Sequence, residues 1–227
     1  MLKIRFRILF AVLLLQAGIV THAQGNLPYR DDKFFHFGFS LGTNFMDFGI
    51  GANPGDSVNV SYLKPGFSVG IITDLRLNRY LNLRFTPTLN IGERDLVYLF
   101  DGKQDVVTVP SIPICIPLYL KYSSERYGNL RPYLIGGGGM YVDLGQNKDK
   151  PVYLNTLDFY TEFGVGCDIY FSFFKLAPEL KFAIGYNDLF VPISQRQGGQ
   201  LSPADEKFSN ALSKLTSRVL TLTFNFE

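Results

Sequence analysis

The stretch that decides the fold is KFFHFGFSLGTNF, residues 33–45, in which two kinds of side chain alternate. Large apolar side chains occupy every second position, at Phe35, Phe37, Phe39 and Leu41. Small or polar residues occupy the positions between them, at His36, Gly38, Ser40 and Gly42. A period of two predicts a β-strand with one apolar and one polar face. Strands of outer-membrane barrels have this pattern, with the apolar face toward lipid.

The same alternation recurs along the chain. It is found again in residues 66–77, 81–94, 111–121, 131–144, 157–171, 176–186 and 220–226. In the segment 66–77 the phase is expected to break near Ile72, and the segment 131–144 is the least clear because residues 136–139 are all glycine. About eight strands result, which is an even number, and most approach the roughly 9–11 residues that a tilted membrane strand requires. The sequence therefore predicts an all-β protein, an eight-stranded antiparallel up-and-down transmembrane barrel.

The connections between the predicted strands alternate between long and short. The short ones are near residues 78–79, 123–129 and 172–174, and the long ones are near 47–65, 95–105, 145–155 and 187–216. Outer-membrane barrels have short periplasmic turns and longer extracellular loops, so both termini are predicted to face the periplasm.

The last long loop contains a helix signal. Ser202 is a good N-cap residue, and Pro203 suits the first helical position. Phe208, Leu212 and Leu215 follow at i, i+4 and i+7, which predicts one apolar face of a short helix. That face is either a contact site for a partner or packs on the rim of its own barrel.

Aromatic residues concentrate near both ends of the predicted strands, as in the interfacial girdles of membrane barrels. The predicted inner girdle comprises Phe34, Phe35, Tyr80, Tyr122, Tyr127, Phe173, Phe174 and Phe226. The predicted outer girdle comprises Phe48, Tyr62, Tyr98, Phe100, Tyr153, Tyr186 and Phe190.

Charged residues indicate which face of the strands points inward. Alternation alone also fits a lipocalin-like soluble barrel, whose apolar face lines the interior. Here, charges of both signs share the face that carries the glycines, an arrangement that a narrow membrane-barrel lumen permits because the charges can pair across it. The predicted lumen-facing polar network comprises Arg84, Lys121, Asp158, Glu162, Asp168, Glu179 and Lys181.

The N-terminus has the three parts of a secretory signal peptide. Basic residues occur at positions 3, 5 and 7, an apolar run covers 8–15, and Thr21 and Ala23 suit cleavage after Ala23. An uncleaved anchor helix is the alternative, but Gln16 and Gly18 interrupt a run that is shorter than the roughly 20 residues needed to span a bilayer. The predicted organisation is a signal peptide (1–23), a periplasmic segment (24–32) and a barrel domain in the bacterial outer membrane (33–227).

Several classes of function are not expected from the composition and motifs. The net charge is only +2, so nucleic acid is a poor partner. His36 is the single histidine after residue 23, and it lies roughly 13 Å along the strand from Ser40. The glycine run lacks the Lys-Ser/Thr of a phosphate loop, and no cluster has metal-ligand spacing. Cys115 and Cys167 fall on opposite faces of their strands. We expect no enzymatic activity, cofactor, metal or small-molecule substrate.

The first strand resembles the opening strand of PorT-family proteins of the Bacteroidetes. The similar residues are FHFGFSLGTNFMDF (35–48) with the preceding DDK (31–33), and later PLYLKY (117–122) and RPY (131–133). The resemblance implies an outer-membrane component of the type IX secretion system, which is non-enzymatic and contacts other secretion-machinery proteins as well as lipid. The resemblance does not identify any functional residue in this sequence. A generic barrel that anchors the envelope or binds a surface ligand, and an outer-membrane enzyme, remain the alternatives.

Overall fold

The strands form one antiparallel sheet that closes on itself. A computed structural model describes residues 27, 30–52, 57–60, 64–100, 102–146, 150–196 and 202–227. The strands are β1 (Phe35–Ala52), β2 (Ser57–Val60), β3 (Pro65–Arg76), β4 (Leu81–Phe85), β5 (Thr88–Phe100), β6 (Lys103–Ser111), β7 (Pro113–Ser123), β8 (Leu130–Asp143), β9 (Leu157–Tyr170), β10 (Lys175–Gly185) and β11 (Leu212–Phe226). A helix, α1 (Pro203–Asn210), precedes β11.

Neighbouring strands in the sequence are neighbours in the wall, and β1 closes the barrel. β1 pairs with β11 on one side, as in Phe39 opposite Phe226, and with β3 on the other. β4 and β5 form one interrupted strand of the wall, and β6 and β7 form another. β2 pairs with the outer part of β5 and is not counted in the wall. The eleven strands therefore make a wall of eight. The predicted eight-stranded antiparallel barrel with a short helix in its last loop is confirmed.

One predicted long loop is instead a continuation of the sheet. Residues 95–105 were expected to form a loop, but β5 runs on to Phe100 and β6 begins at Lys103, with nine residue pairs in register between them. Alternating apolar residues such as Leu96, Tyr98, Val107 and Val109 continue the strand period through this region. This outer hairpin, residues 92–111, extends beyond the wall together with β2 and the end of β1.

The outward face of the wall is apolar, as predicted. Phe37, Ile71, Leu134 and Phe163 are all more than half exposed. The predicted break of phase near Ile72 is wrong: Ile72 is fully buried between the inward-facing Gly70 and Asp74. The alternation of faces is therefore continuous, and one inward position is occupied by an apolar residue.

The interior changes character along the barrel axis. At the end with the short turns (residues 77–80, 124–129 and 171–174), which we call the short-turn end, the buried residues are mainly charged. At the opposite end, the long-loop end, an apolar cluster fills the interior. We call it the cap cluster, and its buried members are Phe48, Leu96, Tyr98, Val109, Val152, Leu154, Leu189, Phe190, Ala211, Leu212 and Leu215.

The cap cluster corrects two sequence-based predictions. Phe48, Tyr98 and Phe190 were assigned to the outer aromatic girdle, but each is at least nine-tenths buried in the cluster. Leu212 and Leu215 were placed on a helix, but α1 ends at Asn210 and both residues belong to β11. Helical spacing failed there because a strand begins two residues after the helix ends.

Some predictions fall outside the described residues. The proposed signal peptide (1–23) is one, and Tyr62 of the outer girdle is another. Among the residues that the structure describes, no helix is both long and apolar enough to cross a membrane.

Candidate functional site: the ion-paired lumen

Arg84 stands at the centre of the charged interior. Its Nε and Nη2 atoms donate to the two carboxylate oxygens of Asp74, each at 2.7 Å. Nη1 donates to Glu179 at 3.1 Å, and Nη2 also donates to Glu227 at 2.9 Å. Arg84 is 1% exposed, so one buried guanidinium joins carboxylates from three separate parts of the wall.

Two lysines extend this network toward the short-turn end. Lys121 Nζ lies 3.0 and 2.9 Å from the two carboxylate oxygens of Asp168. Lys175 Nζ lies 2.7 Å from Glu227 and 3.7 Å from Asp168. The Glu227 carboxylate thus links the Arg84 group to the Lys121 group, and the two sets of charges form one continuous network across the lumen.

Two tyrosine hydroxyls and a third lysine complete the network in the middle of the barrel. The hydroxyl of Tyr133 donates to Glu179 at 2.8 Å, and the hydroxyl of Tyr119 donates to Glu162. Lys181 Nζ lies 3.4 Å from Glu179. Buried charges need such partners because an unpaired ion is costly in a low-dielectric interior.

All seven residues of the predicted polar network lie in the interior, between 1% and 7% exposed. Six of them share in the connected network around Arg84, Lys121 and Tyr119. Asp158 lies apart, near the long-loop end, where its Oδ1 accepts from the backbone amide of Asn187 at 3.1 Å.

Sequence analysis missed three charged members of the network. Asp74 lies in the segment where Ile72 hid the alternation, although the alternation itself places it inward. Lys175 was not singled out because it adjoins a short turn. Glu227 follows the last residue of β11, yet its side chain turns inward and is 7% exposed as a residue. A strict period-two count from Gly70 would have found Asp74.

Two cavities between the side chains of the described interior are small. A cavity of about 20 Å³ is lined by Tyr141, Asp143 and Leu154 among others, and a second of about 20 Å³ is lined by residues including Tyr119, Glu162 and Lys181. Each has room for about one water molecule. A barrel of eight strands is just wide enough to be filled by its own side chains, which is what these residues do.

The glycine run 136–139 fits close packing of the wall. A Cβ at Gly137 would meet the Tyr119 Cα at 2.8 Å, and one at Gly139 would meet the Pro117 Cα at 2.7 Å. Residues with side chains would push β7 and β8 apart. The predicted close approach of neighbouring strands, rather than a phosphate loop, explains Gly137 and Gly139, whereas a Cβ at Gly136 would meet nothing within 4 Å.

Acidic residues before β1 lie against basic residues of the short-turn end. Asp31 accepts from the Tyr170 hydroxyl at 2.6 Å and lies 3.4 Å from Arg131. Asp32 pairs with Arg76 at 3.0 Å. The segment that leads into β1 is therefore tied to the turns at this end of the lumen.

The long-loop end is tied together by Arg196. Its guanidinium donates to the carbonyls of Val191, Lys150 and Pro151 at 2.8 to 3.1 Å, and to the Ser209 hydroxyl of α1 at 3.0 Å. Burial lowers the pKa of Arg196 from its ordinary value. One side chain thus connects two loop segments with the helix above the cap cluster.

Lys64, directly before β3, pairs with the outer hairpin: its Nζ lies 2.9 Å from Asp95 and 3.4 Å from Glu93. The hydrogen bond to Asp95 raises the pKa of Lys64. Burial raises the pKa of Asp95, but hydrogen bonds from Lys64 and from Thr108 (2.7 Å) outweigh it and leave that pKa below its usual value.

Two of the three residues suggested for partner contact, Leu212 and Leu215, are buried, and the third, Phe208, is partly buried. Leu212 and Leu215 are 3% and 0% exposed in the cap cluster, and Phe208 packs against the same cluster with its ring 4.9 Å from that of Tyr98. The helix therefore packs on its own barrel, which was the alternative interpretation of this face.

The remaining candidate residues show no catalytic grouping. His36 is buried and faces inward at the start of β1. Cys115 is buried, Cys167 is partly exposed, and both are free. Within the described ranges, no group of three or more His, Cys, Asp and Glu residues is placed to hold a metal ion.

Comparison with known proteins gives a family and several similar folds. The family of the outer membrane protein beta-barrel domain matches residues 22–191, which is about three quarters of the chain. Neisserial surface protein A has 11% identity and a TM-score of 0.45, covering 85% of this chain and 98% of its own. OprG from Pseudomonas aeruginosa has 10% identity and a TM-score of 0.49, covering 85% and 92%.

AlkL, solved by solid-state NMR in lipid bilayers, has 14% identity and a TM-score of 0.39, covering 92% of both chains. No curated protein sequence matches the chain. The family match covers most of the wall, from the start of β1 to β10. An outer-membrane location agrees with the exposed apolar outward face of that wall. The chain belongs to the outer membrane protein beta-barrel domain family and is a barrel of the outer membrane.

Proposed function

We propose that this barrel is a non-enzymatic outer-membrane protein that acts through protein contacts at its ends and not by transport through its lumen. The observation that carries the proposal is the Arg84 network, in which paired, buried charges occupy the space that a channel would need. Opening a path would require breaking several buried ion pairs, each of which is costly to separate.

Both ends of the barrel support this proposal. The cap cluster fills the lumen at the long-loop end, and the segment before β1 is bonded to the short-turn end. The outer hairpin extends beyond the wall and presents Leu99 and Val106, which are about half exposed. Such rigid, protruding strands supply surface for contact with other proteins.

Recordings from planar bilayers test the closed lumen. The purified barrel, inserted next to a porin as a positive control, is expected to give no stable conductance steps. The same preparation must show the heat-dependent gel shift of a folded barrel, so that absent current is not due to absent protein. Large, stable openings would refute the proposal.

We further propose that the partners are components of the type IX secretion machinery, and that the termini face the periplasm. The support is the resemblance of the first strand, residues 33–48, to the PorT family. The alternative is a generic barrel that anchors the envelope or binds a surface ligand, and the closed lumen is equally consistent with it.

Gene deletion separates these two possibilities. If the barrel serves secretion, a deletion strain should retain proteins with a C-terminal sorting domain inside the cell, and the wild-type gene should restore their export. Normal export in the deletion strain, with intact membrane localisation of the complementing protein, would remove the secretion proposal and leave the generic barrel.

A further inference from the structure

Arg94 is a buried cation with unmet hydrogen-bonding capacity. It lies on β5 just beyond the wall and is 4% exposed. Its Nη2 donates to the Ser111 hydroxyl at 3.2 Å, and its Cζ lies 4.4 Å from the centre of the Phe48 ring. Its Nε and Nη1 atoms have no partner among the described residues. Buried N–H groups of a guanidinium without an acceptor are strongly unfavourable.

Asp158 is a buried carboxylate with one oxygen that accepts no hydrogen bond from the described residues. It is 2% exposed at the start of β9, and its Oδ1 accepts from Asn187. Its Oδ2 has no hydrogen-bond partner among the described residues. A Cβ at residue 185 would collide with this Oδ2, so Gly185 leaves the space in which the carboxylate sits.

The two residues line the same cavity of about 20 Å³, together with Asp143, Thr156 and Ser217. A water molecule needs at least about 10–15 Å³ of such space and two to four polar partners. The cavity therefore has the size for one water molecule, and its lining includes both a residue with free donors, Arg94, and a residue with a free acceptor, Asp158.

The charges around the cavity select a neutral occupant. Asp143 and Asp158 would repel an anion, and the Arg94 guanidinium would repel a metal cation. Asp143 is already engaged by the Ser111 hydroxyl at 2.5 Å and by the backbone amides of Ile112 and Gly145, each at 2.9 Å. The unmet groups are those of Arg94 and Asp158.

We propose that this cavity binds one structural water molecule that bridges Arg94 and Asp158. The water oxygen accepts from one of the two free N–H groups of Arg94, Nε–H or Nη1–H, and one of its hydrogens is donated to Asp158 Oδ2. The bridge joins β5 to β9 at the level where the interior changes from charged to apolar. It is independent of the secretion proposal, because it concerns only the inside of the barrel.

A high-resolution crystal structure of the wild-type barrel, grown in bromide, tests this site directly. The expected result is a single peak of water-like density within hydrogen-bonding distance of Arg94 and Asp158, without anomalous signal. An anomalous bromide peak would overturn the assignment in favour of an anion. An empty cavity, or a direct Arg94–Asp158 contact, would overturn it as well.

Matched variants test the role of the donors. Arg94→Met removes the N–H groups while keeping an unbranched side chain, so the density peak should be lost. Arg218→Met, which changes an exposed arginine of β11, should leave the peak unchanged. Persistence of the peak in Arg94→Met would contradict the bridge. If Arg94→Met does not fold, the wild-type bromide structure still decides the question.

Discussion

Arg84 donates two parallel hydrogen bonds of 2.7 Å to Asp74, one to each carboxylate oxygen. The two residues are opposite each other in the register of β3 and β4. A planar guanidinium matches a carboxylate in this side-by-side geometry, which makes the pair stronger than one with a single contact. Backbone register therefore sets the geometry at the centre of the lumen.

Replacing Arg84 should destabilise the barrel strongly. In Arg84→Met, three carboxylates inside the lumen lose their ion pair with Arg84: those of Asp74, Glu179 and Glu227. Removing one member of a buried ion pair costs about 3–5 kcal/mol, and we expect a loss of that order in the free energy of unfolding. Denaturant unfolding in lipid vesicles, followed by the mobility shift of the folded barrel on gels, measures it.

Arg79→Met is the matched control for Arg84→Met. Arg79 pairs with Glu125 at 3.2 Å, but both side chains are more than half exposed. Exposed pairs contribute about 0–1 kcal/mol, so this variant should unfold almost as the wild type does. Equal losses in the two variants would mean that the interior network contributes nothing special to stability.

Two valines with equal exposure should respond differently to charge. Val165 on the wall and Val106 on the outer hairpin are 53% and 54% exposed. Val165→Arg places a charge in the apolar belt and should cost about 2–4 kcal/mol, as charged residues on a lipid face do near the bilayer centre. Val106→Arg should stay within about 0.5 kcal/mol of wild type. A large loss in Val106→Arg would place the hairpin within the membrane.

The Lys64–Asp95 pair should titrate at both extremes of pH. The lowered pKa of Asp95 gives a stabilisation that is present above the unfolded value of about 3.9 and lost as pH falls through the folded value. The raised pKa of Lys64 gives one that is present below about 10.4 and lost as pH rises through its folded value. The pair should therefore be intact from about pH 4 to about pH 10.

NMR titration of the Asp95 carboxyl carbon checks this pair. Lys64→Met should move the titration midpoint of Asp95 upward, because the main hydrogen bond that lowers its pKa is lost. Lys214→Met, at an exposed lysine of β11, should leave the midpoint unchanged. An unaltered midpoint in Lys64→Met would show that Thr108 alone holds the carboxylate.

Loss of Arg196 should loosen the loops without opening the wall. Arg196→Ala removes four hydrogen bonds from a charged donor, each typically contributing about 1.5–3 kcal/mol. Even one such loss makes local opening about 10–100 times more frequent. Limited proteolysis should then cut faster within the loop residues 150–156 and 186–196, while the strands stay resistant. Unchanged cleavage would assign the order of these loops to the cap cluster alone.

The sequence predicts the wall well because alternation directly reports the two faces of a strand. Strand number, the inward charges and the helix start at Ser202 follow from period and capping chemistry. The inward position of Asp74 was missed because Ile72 resembles a phase break. An apolar residue inside a polar lumen resembles a phase break unless the period is counted strictly along the strand, because the residues it packs against come from other strands.

The cap cluster is harder to predict for the same reason. Phe48, Tyr98 and Leu215 lie far apart in the chain and meet only when the last loop folds over the barrel. Aromatic residues near a strand end fit a lipid-facing girdle and a buried cluster equally well. Alternation gives the side of the wall on which a residue lies, but not whether a distant loop covers that side.

The end of β11 makes misaligned closure of the barrel unfavourable. Phe226 points outward and stacks on Phe39 with ring centres 4.9 Å apart, while the adjacent Glu227 points inward to Arg84 and Lys175. A shift of one residue along β1 would exchange these environments, placing the carboxylate in lipid and the aromatic ring among the charges. Phe226 and Glu227 together therefore favour the native register of β1 and β11, since only that alignment satisfies both side chains.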